Sequence, residues 1–345
     1  MYDKIELRIR DAKIMKHFET NGFSIFKRNP SFIRVGNATD RKYRLINRKE
    51  GDNLHYLTVQ IVQKVYGEQI SSPELYISGS LRKWHLGALS LRDMTRFDTL
   101  QVLKCLAQEL EIPYADFVRL RLSSVEVGLN LDMGKVKPFE VLSRMRHFKN
   151  SRYMPAMYDE NYVRFKTSYF TAKAYDKIEE IKHRKTSREK KKNWGDLYKG
   201  RNILRLEFTV RGGASKTNAF FRITTLEDLV THYNWVAAAW SKYCRSFRFE
   251  GKNILPFTPK ERSLKEFSDY LLQRGLMDLM VHNEFPKILT GFSSQAKKDV
   301  SKKTRKLIEQ MPEVIHIRRV FRQTVRRHFV DLLRTSQPEW VAKSM

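Results

Sequence analysis

The sequence predicts an α+β fold: an antiparallel β-sheet packed with helices over residues 1–255, then a mainly helical region over residues 256–345. Three observations carry this expectation. Several segments before residue 212 alternate apolar and polar residues, the period-two pattern of a half-buried strand. Between them, single stretches repeat apolar residues at helical spacing, so strands and helices are interspersed. Beyond Gly213 the helical period takes over, with a linker read at Pro256 and Pro259.

Taken in order, "MYDKIELRIR", "FSIFKR", "HYLTVQIV" and "ELYISGSLRKW" read as strands, with aromatic and β-branched residues at alternate positions. "RFDTLQVLKCLAQELEI" reads as a helix with Phe97, Leu100, Leu103, Leu106 and Leu110 on one face, closed by Pro113. "RLRLSSVEVGLNL" returns to strand, and "KPFEVLSRMRHF" reads as helix. Three strands follow, "NYVRFKTS", "YFTAKAYDK" and "NILRLEFTVRGG". The last two are joined by a basic loop over residues 182–202 that lacks a core pattern. Thr225 and Asp228 stand in capping-box positions ahead of a helix, and Ser263 and Gly275 bracket another. In the final helix Val314, Ile317, Phe321, Val325, Phe329 and Leu332 form the apolar stripe. Arg318, Arg322 and Arg326 run beside it, either as a solvated face or as a DNA-facing one.

With 345 residues, 41% of them hydrophobic, the chain can bury a sizeable core, which excludes wholesale disorder. The 66 Lys and Arg against 38 Asp and Glu give a formal charge of +28, a field that favours polyanions. Nucleic acid is the leading partner, and an anionic membrane surface is the alternative. Two cysteines, Cys105 and Cys244, are too few for a disulfide scaffold and too far apart for a thiolate metal site. No apolar run approaches the ~20 residues of a membrane helix, and the N-terminus lacks a signal pattern. The expectation is a soluble protein of the bacterial cytoplasm with no membrane partner.

Strand alternation places Lys173, Tyr175 and Lys177 on one face of "YFTAKAYDKIEEI" and Ala172, Ala174 and Asp176 on the other. Flanking ammonium groups would lower the phenol pKa from its usual ~10 and hold a phosphate under attack. On its own, the ordinary reading of this Tyr is a half-buried aromatic on an edge strand. Two further strands add weight: Glu126 shares the polar face of its strand with Ser124, Gly128 and Asn130, and Glu207 shares its own with Arg205, Thr209 and Arg211. Each Glu either pairs with an arginine, Arg205 or Arg211, or joins the other to hold Mg2+ or Mn2+, which prefer oxygen ligands. None of the nine histidines forms a His-hydrophobe-His pair, so a histidine metal site of that kind is excluded.

Residues 75–212 resemble the filamentous-phage gene II replication-initiator family, related to the rolling-circle initiators of small plasmids. The resemblance rests on the order of "LYISGSLRKWHLG", "LSSVEVGLNL", "FTAKAYDKIEE" and "LRLEFTVR". It implies a metal-dependent enzyme that nicks and rejoins one strand at an origin through a 5′-phosphotyrosine on Tyr175. Lys173 and Lys177 would assist at the phosphate, and Glu126 and Glu207 would hold the metal, with Glu180 a further candidate beside Glu179. The family more often has Asp at the position of Glu126. Origin DNA, duplex and single strand, would meet Lys83, Arg184, Lys185, Arg188, Lys190, Lys191, Lys192, Arg205, Arg318, Arg322 and Arg326. A host helicase and a host polymerase would complete the reaction. The rival expectation is a non-enzymatic origin-binding or copy-control protein, which explains the charge but not the isolated carboxylates. An RNA-binding role lacks clustered aromatic platforms.

Overall fold

The computed structural model describes residues 1–20, 23–35, 41–47, 55–63, 65–66, 69–87, 90–148, 151–152, 161–166, 170–183, 198–210, 221–249 and 312–335, with isolated positions between 293 and 302. The chain folds as an α+β protein around one long antiparallel sheet. Its strands are β1 (Tyr2–Ile9), β2 (Phe32–Val35), β3 (Lys42–Ile46), β4 (Tyr56–Val62), β5 (Val65–Tyr66), β6 (Gln69–Ile70), β7 (Glu74–Ser80), β8 (Leu122–Asp132), β9 (Met145–Phe148), β10 (Ser151–Arg152), β11 (Tyr162–Lys166), β12 (Phe170–Asp176), β13 (Ile203–Val210) and β14 (Phe247–Phe249). Nine of them form the main sheet in the order β11-β12-β13-β8-β1-β7-β4-β3-β2, every neighbouring pair antiparallel. A small sheet, β10-β9-β14, lies beside it.

The two faces of the main sheet differ in kind because strand side chains alternate. One face carries Ile5, Leu7, Leu57, Val59, Leu75, Ile77, Val125, Val127, Leu206 and Phe208, all fully or nearly fully buried. Helices cover it: α1 (Ala12–Thr20), α2 (Ile25–Arg28), α3 (Leu81–Leu86), α4 (Arg96–Glu109), α5 (Tyr114–Phe117), α6 (Pro138–Leu142), then α7 (Lys177–His183), which leaves the sheet edge, and α8 (Asp228–Thr231), α9 (Tyr233–Cys244) and α10 (Pro312–Arg334). The cross-strand register sets the other face. Lys173 lies opposite Glu207, Thr209 opposite Glu126, and Glu126 opposite Lys4. That face is polar.

Most of the expected elements form, and the departures have local causes. "FSIFKR" is not a strand; Ile25–Arg28 is helical because Phe23 and Phe26 stack on Phe18 at 6.4 and 5.6 Å. The segment 137–148 is a helix only as far as Leu142, and Met145–Phe148 then pairs with β10 and β14. In α4 the buried positions include Val102, Leu103, Leu106 and Ala107, whereas Phe97 is 61% exposed. Thr95 and Asp98 close a capping box that starts this helix. Thr225 and Asp228 bond reciprocally ahead of α8, as their spacing requires.

The last helix belongs to the same core as the sheet. Ile317, Phe321, Val325, Phe329 and Leu332 are buried, and α10 packs on α9, α6 and β8. Phe321 meets Phe249 at 5.1 Å and Phe247 at 6.1 Å. The side chain of Val314 and the Ser263–Gly275 segment lie outside the described residues. No helix among the described residues is long and apolar enough to cross a membrane. Phe321→Ala is expected to cost about 3–5 kcal/mol in urea unfolding and to keep one cooperative transition, because it opens a cavity inside the shared core. Phe97→Ala should change stability by about 0.5 kcal/mol or less; equal effects of the two would contradict this packing.

Candidate active site

Tyr175 projects from β12 toward β13, where its hydroxyl donates to Glu207 Oε1 at 2.7 Å. Two residues earlier, Lys173 Nζ donates to Glu207 Oε2 at 3.1 Å and to Glu126 Oε2 at 3.4 Å. Thr209 Oγ1 donates to the same Glu126 oxygen at 2.5 Å. The register makes these contacts: Lys173 faces Glu207 across one strand boundary, and Thr209 faces Glu126 across the next. Of the six residues expected to form the site, Tyr175, Lys173, Glu126 and Glu207 therefore stand together on one polar face, with Lys173 between the carboxylates.

Beneath them lies Arg205, fully buried on β13. Its guanidinium donates to Asp3 Oδ2 and, at 3.0 Å, to Asp93 Oδ1, while Nε stands 3.5 Å from Glu207 Oε1. Asp3 also accepts from Ser80 Oγ. Asp93 accepts from Asn130 N at 2.8 Å, and His328 Nε2 of α10 lies 2.9 Å from its Oδ2. The guanidinium fits because residue 128 is glycine: a Cβ there would stand 2.3 Å from Arg205 Nη2 and 2.7 Å from Cζ. Arg205 is thus a structural cation and not a DNA contact as expected, since no part of it reaches the surface.

Strand β12 ends at Asp176, one residue before the end of the expected strand "YFTAKAYDK". Asp176 Oδ1 accepts from Ile178 N at 2.9 Å and from Glu179 N at 3.1 Å, an N-cap that turns the chain into α7. Lys177 therefore does not share the Lys173 face. It is buried, its Nζ bonds Glu180 Oε2 at 2.6 Å, and it lies 5.9 Å from the Tyr175 ring centroid. Glu180 is engaged by Lys177 and stands outside the carboxylate cluster. Glu179 pairs with Lys182.

The carboxylates that do cluster are Asp3, Glu126 and Glu207, each with an oxygen within 4.8 Å of the others. Asp3 escaped the sequence reading because its parity on β1 matches core residues Ile5 and Leu7. A β-bulge between Tyr2 and Lys4 breaks that parity and puts Asp3 beside Arg205. Asp93 comes from the stretch between α3 and α4, where no periodicity points at it.

Burial, then the nearby Glu207, raises Glu126 to about 7 against the pull of Lys173 and Thr209. Burial would raise Glu207 as well, but Arg205 and Lys173 hold it below its usual range. Tyr175 is pushed well above its usual value by burial and by Glu207, so the phenol is not activated by flanking lysines as expected. Burial alone would lower Lys173, but Glu126 and Glu207 keep it above the ordinary lysine range. An oxygen-only donor set with an incompletely compensated carboxyl suits a hard divalent cation of the Mg2+ or Mn2+ type. Such an ion would compete with Lys173 for the Glu126 and Glu207 oxygens.

Among the DNA contacts expected from the sequence, Lys83 lies in α3, near enough for its charge to lower Asp3. Arg322 and Arg326 are exposed on α10 and Arg318 is half-buried. Arg184, Lys185, Arg188, Lys190, Lys191 and Lys192 lie outside the described residues, as does Arg211, the alternative partner for a strand Glu. No family model matches the chain, and no curated protein or solved structure is significantly similar to it.

Glu126 keeps its proton to about pH 7 in the folded state, against about 4.5 for an ordinary Glu. Between those values the folded state binds the extra proton, so this group makes stability fall as pH rises. Glu126→Gln should therefore gain in Tm relative to wild type from about pH 5 to about pH 8. Millimolar Mn2+ should raise the Tm of the wild type at the upper pH and leave the variant nearly unmoved. A Tm difference that does not change with pH would contradict the assignment.

Proposed function

We propose that the protein nicks and rejoins one DNA strand through Tyr175, as a metal-dependent initiator of rolling-circle replication. The observation that carries this reading is the Tyr175 hydroxyl bonded at 2.7 Å to Glu207, inside a cluster of three carboxylates on an otherwise basic chain. A binding protein needs cations for phosphates. It has no use for a phenol and carboxylates gathered around one buried arginine.

The chemistry is a transesterification. Tyr175 Oη attacks the scissile phosphorus, its proton passing to Glu207 Oε1, and the bond from phosphorus to the 3′-oxygen breaks. The 3′-oxygen leaves as a hydroxyl after taking a proton from solvent, and a 5′-phosphotyrosine remains. The reverse attack by a 3′-hydroxyl rejoins the strand without an external energy source, because the phosphodiester is conserved. A free 3′-hydroxyl is also what a polymerase extends.

In the free protein the proton stays on Tyr175, because Glu207 is the weaker base and its charge disfavours a phenolate. Arg205 opposes this by stabilising negative charge at both groups. A divalent ion held by Asp3, Glu126 and Glu207 would supply Lewis-acid stabilisation of the departing oxygen and offset the carboxylate charge that keeps the phenol protonated. Lys173 would neutralise a non-bridging phosphate oxygen once drawn away from the carboxylates.

Supercoiled DNA carrying the element's own origin, with Mn2+ or Mg2+, provides the test. Tyr175→Phe should abolish nicking and leave origin affinity within about twofold. Glu207→Gln should slow nicking by about 10²–10⁴-fold, the range for loss of a general base. Normal cleavage by Tyr175→Phe would remove Tyr175 from the mechanism.

A further inference from the structure

Beside the carboxylates the polar face opens into a groove of about 1150 Å³ that runs from Lys173 and Glu126 across β1 toward the turn before β8. Five arginines line it: Arg8, Arg10, Arg119, Arg121 and Arg164. Lys4 lines it as well, but Lys4 and Arg10 are neutralised by Glu6 at 3.1 Å and Glu74 at 2.8 Å. Asp11 is occupied in capping α1 through Ile14 N at 3.1 Å. The groove is therefore strongly positive next to a cluster that is negative.

Two buried polar atoms lack partners there among the described residues. Thr171 is 2% exposed, yet its Oγ1 has no hydrogen-bond partner. Arg164 Nε, on the neighbouring strand, is likewise buried and unpaired. Register places Thr171 opposite Thr209, which bonds Glu126, and Arg164 opposite Lys173. Buried polar groups are almost always satisfied, so a donor pair left open at a groove floor points to an absent acceptor. Tyr76 lines the same groove with Arg8 over its ring at 5.9 Å, a surface on which a base can stack.

We infer that this groove binds the sugar–phosphate backbone of a single DNA strand, with one phosphate held by Thr171 Oγ1 and Arg164 Nε. The inference deepens the nicking proposal and rests on it for the identity of the ligand as DNA. A single strand is the occupant the recess favours, because a duplex with a persistence length of about 150 bp must be bent at an energetic cost to reach its floor. A single strand turns freely enough to bring a phosphate down to Thr171 and a base against Tyr76.

The test is fluorescence anisotropy with a labelled oligothymidylate of about 12 nucleotides, titrated at several salt concentrations. Arg121→Gln and Arg164→Gln should each weaken binding about tenfold and reduce the slope of log K against log salt by about 0.7, the value for one lost phosphate contact on a single strand. Thr171→Val should weaken binding severalfold without changing the slope. Circular dichroism melting separates these effects from misfolding. Wild-type affinity in all three variants would overturn the inference, as would equally tight binding of a duplex of the same length that the variants weaken equally. Tyr175→Phe keeps oligonucleotide binding, so the two proposals fail separately. If the wild type nicks nothing but the groove variants lose affinity, this site stands. If Tyr175 nicks and the groove variants bind normally, this site alone fails.

Discussion

Arg205 is the residue on which the arrangement of the polar face depends. It is fully buried and joins three carboxylates from three places in the chain: Asp3 on β1, Asp93 between α3 and α4, and Glu207 on its own strand. A charge buried this deeply is tolerated only when paired, and removing one partner of such a pair costs about 3–5 kcal/mol. The carboxylates are held in turn. Arg205 and Arg82 keep Asp3 ionised despite burial, and His328 followed by Arg205 does the same for Asp93, both well below the usual carboxylate range. Because folded values below the unfolded ones stabilise above the unfolded pKa, this contribution is present at neutral pH and is lost progressively as pH falls through and below the ordinary carboxylate range. Gly128 is part of the same device, since any side chain there would occupy the space of the guanidinium.

That buried network also ties the end of the chain to the site. His328 is brought to Asp93 by a helix that, about two turns earlier on the same side, packs Phe321 against β14. A stripe of arginines at the surface and a half-buried imidazole against Asp93 thus belong to one helix. Anything that binds Arg322 and Arg326 acts on the same rigid element that touches Asp93.

Alternation made much of the polar face legible. Glu126 and Glu207 stood out as single carboxylates in hydrophobic strands, and antiparallel pairing brings them within reach of Lys173 and Tyr175. What alternation cannot show is where it is interrupted. The bulge in β1 moved Asp3 onto the polar face, and the Asp176 cap moved Lys177 off it. Alternation offers Arg205 as a partner for a strand Glu, which its approach to Glu207 matches, and its charge suggests a DNA contact, which its burial overturns. A sequence does not show that another segment supplies the carboxylates to bury it. The phenol was misjudged for a related reason: two lysines in the sequence suggested activation, while folding placed a carboxylate on its hydroxyl and one lysine beneath its ring. Asp93 gave no signal at all, since its role comes entirely from tertiary contacts.

The most direct measurement of the central claim is peptide mapping by mass spectrometry after reaction with origin-sequence single-stranded DNA and Mn2+, followed by nuclease trimming. The account predicts a nucleotide joined through its 5′-phosphate to the peptide containing Tyr175, with no such adduct in Tyr175→Phe. An adduct on Tyr162, whose ring centroid lies 6.2 Å from that of Tyr175, would contradict it, as would cleavage without any covalent adduct.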